Sequence, residues 1–235
     1  MMPVNRRDFL ASVLGAGAVG LTSTEASQAA LAVPRLSEVA MSVVKLACIA
    51  GCGAPDGTAK GARLIEPFGV AFDRQGNWYI CEYKGQRITK VNTTGMIVPF
   101  AGREGNSSEP EGAMASQVKF NDPHGLVISK EQMYIADTLN HRLVKINLKT
   151  GRAATIAGTG QAGYSGDGGP ATNAAFNQLY AVDINRAGNK LYITDLRNRR
   201  IRLLDLKSGV VITIAGNGQE GVPAEGAVAA DSPLV

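Results

Sequence analysis

From about residue 63 onward, apolar residues come in short runs that partly alternate with polar ones, as in Leu143-Val-Lys-Ile. Alternation with period two marks a half-buried strand, and the abundance of Ile and Val agrees with it. The best-defined stretch predicts four strands, over 125–129, 133–138, 142–147 and 153–157. Turn-forming residues separate them at 130–131, 139–140 and 148–152. No segment sustains a 3.6-residue stripe, and glycine recurs too often for stacked helices, so a helical solenoid is excluded.

The pattern repeats. Trp78-Tyr-Ile-Cys-Glu82 is matched by Met133-Tyr-Ile-Ala-Asp137 and by Leu191-Tyr-Ile-Thr-Asp195. In each copy an arginine follows the acid five residues later, at Arg87, Arg142 and Arg200. Ala-Gly pairs close the units at Gly51, Gly102, Gly158 and Gly216. The long connections share a register too: Glu111-Gly112 leads to Ala115 and Phe120, Asp167-Gly168 to Ala171 and Phe176, and Glu225-Gly226 to Ala229 and Leu234, with Asp56-Gly57 a looser copy. Four antiparallel strands per repeat with a long loop between repeats make a propeller blade. The repeats span about 63–102, 120–158 and 176–216. The acid–arginine pair reads as structural: across a tight hairpin the carboxylate accepts backbone N–H groups and faces the guanidinium.

Several of these residues resemble a known family. Pro-x-Gly-Val at 67–70, Asp-x-x-Gly-Asn at 73–77 and Tyr134-Ile-Ala-Asp-Thr-Leu-Asn-His-Arg-Leu143 are similar to NHL repeats, and Gly-Asp-Gly-Gly-Pro-Ala at 166–171 resembles the connecting loop of bacterial members. The third copy departs from the pattern, with Arg199 for the His and Leu179-Tyr-Ala for Pro-x-Gly; the first has Lys84-Gly-Gln for Leu-Asn-His. The resemblance implies an all-β fold, an NHL-type β-propeller segment over 43–235. It comprises three four-stranded blades plus one orphan N-terminal strand at 43–50, which is similar to the fourth strand of a blade. Related propellers have about six blades. A three-blade arc is therefore expected either as part of a longer chain, as half of a homodimer that completes the ring, as the partner of a separate chain, or standing alone.

Composition narrows this picture. A hydrophobic content of 45% fills a core and excludes disorder for most of the chain. The 28 glycines have no three-residue period, which excludes collagen. A net charge of +4, from 24 basic and 20 acidic residues, is too mild and scattered for a nucleic-acid partner. The densest basic patch, Arg197, Arg199, Arg200 and Arg202, reads as a solvated hairpin edge.

The N-terminus reads as an address. Arg6-Arg7 with Asp8-Phe9-Leu10, a small apolar run over 11–21 and an Ala-x-Ala-like exit at 30–32 resemble a twin-arginine signal over 1–32, followed by a linker at 33–42. The expectation is a periplasmic or extracellular protein with no membrane span once the signal is removed. Cys48, Cys52 and Cys81 lack a Cys-x-x-Cys spacing for metal, and their odd number leaves at least one thiol free or pairing between chains.

In a propeller the first strand of each blade lines the central channel. Its start supplies the candidate ligand-facing residues: Glu66 and Phe68, Asp122 and His124, Gln178 and Tyr180. The first expectation is a binding module without catalysis, gripping a protein, peptide, carbohydrate or small molecule, with no cofactor. The alternative is a metal-assisted hydrolase or lactonase of the gluconolactonase-like kind, with Glu66, Asn121 or Asp122, and Asn177 around a divalent cation such as Ca²⁺. Its residue pattern cannot be matched here position by position. A zinc-dependent lyase needs more histidines than His124 and His141. The sequence has no Gly-x-Ser-x-Gly elbow and no phosphate loop.

Overall fold

A computed structural model describes residues 62–103 and 112–235. The expected signal, linker and orphan strand, the loop at 56–57, Glu111, Cys48 and Cys52 lie outside the described residues.

Among the described residues, twelve strands form three sheets of four, each a consecutive antiparallel meander. Blade one is β1 (Pro67–Phe72), β2 (Trp78–Glu82), β3 (Arg87–Val91) and β4 (Ile97–Ala101). Blade two is β5 (Pro123–Ser129), β6 (Gln132–Asp137), β7 (Arg142–Asn147) and β8 (Ala153–Ala157). Blade three is β9 (Leu179–Ile184), β10 (Lys190–Asp195), β11 (Arg200–Asp205) and β12 (Val211–Ala215). The strands read from the sequence at 142–147 and 153–157 coincide with β7 and β8. β5 starts earlier than expected because Pro123 pairs with Asp137 across an irregularity in register. Among the described residues no helix is long and apolar enough to cross a membrane.

Alternation turns one face of each sheet toward the next blade. Tyr79, Cys81 and Ile88 of blade one pack with Leu126, Met133, Ile135 and Ile146 of blade two. Tyr134, Ala136 and Leu143 on the other face of blade two pack with Leu179, Leu191 and Ile193 of blade three. The inner strands approach closely, which explains the glycine of Pro-x-Gly: a Cβ on Gly125 would stand 2.9 Å from the Ala181 Cα and 3.0 Å from the Val182 nitrogen. Gly69 sits in the same way against the His124 carbonyl.

The connecting loops clasp the blades. Gly102, Gly158 and Gly216 donate to the carbonyls of Ala115, Ala171 and Ala229 at 3.0, 2.9 and 2.9 Å. Each of those alanines opens a three-residue 3-10 turn. Farther along the first two loops, Phe120 and Phe176 are fully buried. Gly112 N–H then donates to Ala153 O, and Ala153 N–H donates to Ala113 O, stitching the first loop to the outer strand of blade two; Gly168, Gly169 and Val211 repeat this one blade on.

The recurrent acids Glu82, Asp137 and Asp195 are fully buried. Each accepts one backbone N–H from the segment leading into its blade's inner strand: Ile65 to Glu82, Asn121 to Asp137 and Asn177 to Asp195, all at 2.8 Å. Glu82 and Asp137 pair with Arg87 and Arg142 as expected, at 2.8 and 2.7 Å, and Thr89 also donates to Glu82. Burial pushes the Asp137 carboxyl up, while the Arg142 guanidinium and the N–H groups of Asn121 and Asn140 draw it down. Blade three differs. Asp195 pairs with Arg202 at 3.3 Å, and Arg200 instead donates to the carbonyls of Asn198 and Asn217 and stacks on Tyr164 at 3.8 Å. The expectation of a solvated arginine patch therefore fails at Arg202, which is fully buried between Asp195 and Asp167.

Cys81 is buried, its Sγ donates to the Pro123 carbonyl at 3.2 Å, and burial pushes its thiol up, so it is an inert packing residue.

Candidate ligand-binding rim

The six candidate residues occupy one register position in three blades. Glu66, Asp122 and Gln178 immediately precede β1, β5 and β9, and all three are left-handed, with φ of 45°, 50° and 62°. Side chains other than glycine reach this region at a cost of roughly 1 kcal/mol or more each. The buried acids offset it, because each holds the N–H of the residue just before the left-handed one.

Two residues on, the strands bring three rings together. Phe68 meets His124 edge-on at 4.8 Å and Tyr180 at 5.4 Å, and His124 lies 4.3 Å from Tyr180. Tyr83, from the β2–β3 hairpin, tilts against His124 at 4.3 Å. Phe68 remains 55% exposed, whereas His124 is buried beneath it. Offset and edge-on ring pairs of this kind each contribute about 1 kcal/mol beyond area burial, so the cluster is pre-formed.

Polar groups frame the rings. Lys84 Nζ lies 2.9 Å from the Asp122 carboxylate and 4.1 Å from the centre of the Tyr83 ring. Arg197 Nε donates to Gln178 Oε1 at 3.1 Å. The network also assigns the His124 tautomer. Thr138 Oγ1 donates to the Leu179 carbonyl at 2.7 Å, so toward His124 it can only accept. His124 Nδ1 therefore carries the proton, shared between the Asp122 carbonyl at 2.8 Å and Thr138. Burial lowers its pKa, although the Asp122 carbonyl and carboxylate oppose this. His141 is not at the cluster. It takes the left-handed position of its hairpin, as Gln86 and Arg199 do in theirs, and its Nδ1 accepts the Gln178 N–H at 3.1 Å.

The structure thus gathers Phe68, Asp122, His124 and Tyr180 directly and places Glu66 and Gln178 at matching edges. Sequence reasoning missed Tyr83, Lys84, Thr138 and Arg197. The signal was available: Pro67 pairs with Glu82 and Pro123 with Asp137, so whatever follows the acid of β2 or β6 must flank the start of the inner strand. Among the described residues, no three His, Cys, Asp or Glu side chains are grouped to hold a metal ion.

Three four-stranded antiparallel blades, inner strands side by side and clasped by equivalent loops, define an arc of a β-propeller. No protein-family model matches the chain. NHL repeat-containing protein 2 of Bos taurus is 24% identical over 184 residues, covering 73% of this chain and 25% of the relative. The Gallus gallus protein of that name is 32% identical over 95 residues, covering 40% of this chain and 13% of its own. A structural genomics protein of unknown function from Bacteroides thetaiotaomicron superposes with a TM-score of 0.52 at 19% identity, covering 72% of this chain and 40% of that one. This chain therefore spans a quarter or less of the two curated relatives' lengths. It has a β-propeller fold and is similar in sequence to NHL repeat-containing proteins.

Proposed function

We propose that this arc is a binding module whose ligand sits on the inner rim and is held without chemical conversion. The observation that carries the reading is the convergence of Phe68, His124 and Tyr180, from equivalent positions of three successive blades, into one pre-formed aromatic platform. The exposed ring of Phe68 and the half-buried ring of Tyr180, supported by the buried His124, recognise flat or ring-bearing groups by stacking, and the flanking Lys84–Asp122 and Gln178–Arg197 pairs supply orienting hydrogen bonds. A carbohydrate or peptide with aromatic or sugar rings suits these groups. The same geometry disfavours the metal-hydrolase alternative, because Lys84 already neutralises the Asp122 carboxylate that would serve as a cation ligand. The proposal includes export through the twin-arginine-like segment at 1–32, testable by reading the N-terminus of the protein recovered from the cell envelope.

The experiment is an array of oligosaccharides and peptides probed with the protein and with Phe68→Ala. The reading expects a restricted set of ligands, bound at least about tenfold more weakly by the variant. Its melting temperature should fall by only a few degrees, because Phe68 is more than half exposed and the variant loses two edge-on ring contacts. Ligands that bind Phe68→Ala and Tyr180→Ala unchanged would contradict it.

A further inference from the structure

The two blade interfaces obey one plan, and one is incompletely filled. In blade one, Tyr79 pairs with Lys90, which pairs with Val98. Phe100 closes the gap edge-on against Tyr79 at 5.0 Å, and the Tyr79 hydroxyl donates to Asp73 at 3.1 Å. In blade two the same ladder runs Tyr134, Lys145, Ala154. Here Ala154 stands in for Val98, Ile156 for Phe100, and Ser129 for Asp73. The smaller side chains leave a groove of about 640 Å³ between blades two and three, walled by Tyr134, Lys145, Ala154, Ile156, Leu204 and Leu206. That volume lies within the range of small-molecule sites, roughly 300–1,000 Å³.

The chemistry of the groove is one-sided. Ile156, Leu204 and Leu206 make an apolar wall. Among the described residues no carboxylate lines it. Lys145 makes no ion pair with a described residue, whereas the other cation at the groove, Arg152, donates through Nη1 to the Gly112 carbonyl at 2.7 Å. The ladder places Lys145 opposite Tyr134, both line the groove, and this phenol lacks the carboxylate partner of Tyr79. One uncommitted cation, a neutral hydroxyl donor and an adjoining apolar wall are what a single negative charge on an apolar body requires.

We infer that the groove between blades two and three binds an amphiphilic carboxylate, its apolar part against Ile156, Leu204 and Leu206 and its carboxylate at Lys145 and Tyr134. This site is separate from the aromatic rim and stands whether or not the rim reading holds.

The test is calorimetric titration of the protein with decanoate below its aggregation threshold, with decanol as the uncharged control. Two variants accompany it: Lys145→Met, which removes the charge, and Ala154→Val with Ile156→Phe, which rebuilds the filled interface of blade one. The expected result is saturable binding of one decanoate per chain, at least about tenfold tighter than decanol. Each variant should weaken it by about tenfold or more. The refilled variant uses side chains that blade one already packs, and its unfolding midpoint is measured alongside. If it does not fold, Lys145→Met alone decides. Absence of decanoate binding, or binding left intact by both variants, overturns the site. Equal binding of decanoate and decanol, unchanged by Lys145→Met, overturns the carboxylate assignment.

Discussion

At the scale of single residues, blade three has moved its arginine. The sequence places Arg200 five residues after Asp195, the spacing that pairs Arg87 with Glu82 and Arg142 with Asp137. The fold puts Arg202 there instead, because Tyr164 and the Asn217 carbonyl draw Arg200 away and Asp167 closes on Arg202 from the connecting loop. Spacing could not reveal this, since the competing partners come from loops that only tertiary structure brings close. Arg202→Ala would strand two carboxylates, one fully buried, and should cost about 3–5 kcal/mol. Arg200→Ala loses a stack and two exchangeable hydrogen bonds and should cost about 1–2 kcal/mol. Urea unfolding of both variants checks the order, and a larger loss at Arg200 would contradict it. Histidine supplies a second prediction. Burial lowers the pKa of His124 and of His141. The unfolded chain then binds more protons than the folded one below the ordinary value of 6.5. Stability should be full above that pH and decline as pH falls through the lowered folded values, and imidazole NMR titration should place both midpoints below 6.5. Midpoints above it would refute the burial argument.

At the scale of elements, the repeats carried most of the fold in plain view. The alternation gave the strands of blade two nearly residue for residue, and the Ala-Gly pairs with their downstream alanine and aromatic anchors marked the clasps. Strand starts were less legible: β5 begins at Pro123 because of a bulge, which alternation does not report. The clasp makes a demand that can be measured. Gly158 is left-handed at φ +94° and a Cβ there would run into the His141 carbonyl. Gly168 is also left-handed, at φ +81°, but faces open space. Gly158→Ala should therefore cost about 3 kcal/mol or more and Gly168→Ala about 1 kcal/mol. Equal losses in denaturant midpoints would show that Gly158 is not packed tightly on the backbone of the β6–β7 hairpin.

At the scale of the whole molecule, the described residues leave apolar side chains exposed on the two end faces of the arc. Phe72 is 62% exposed beside Val70 on blade one, and Tyr192 and Ile212 are exposed on blade three. Contiguous apolar patches of this kind favour association. Light scattering across a concentration series should give a mass above that of one chain, rising with concentration, and a constant single-chain mass would contradict this. The rim was legible as a set of positions because inner strands of a propeller share a register. Its character as an aromatic platform was not, because Phe68, His124 and Tyr180 converge only when the blades are placed side by side. The most direct test of the rim is to locate a ligand selected on the array by NMR. The His124 ring resonances should shift on titration while the indole N–H of Trp78, on the open face of blade one, stays in place. A shift at Trp78 with His124 unmoved would place binding on the end face and contradict the account.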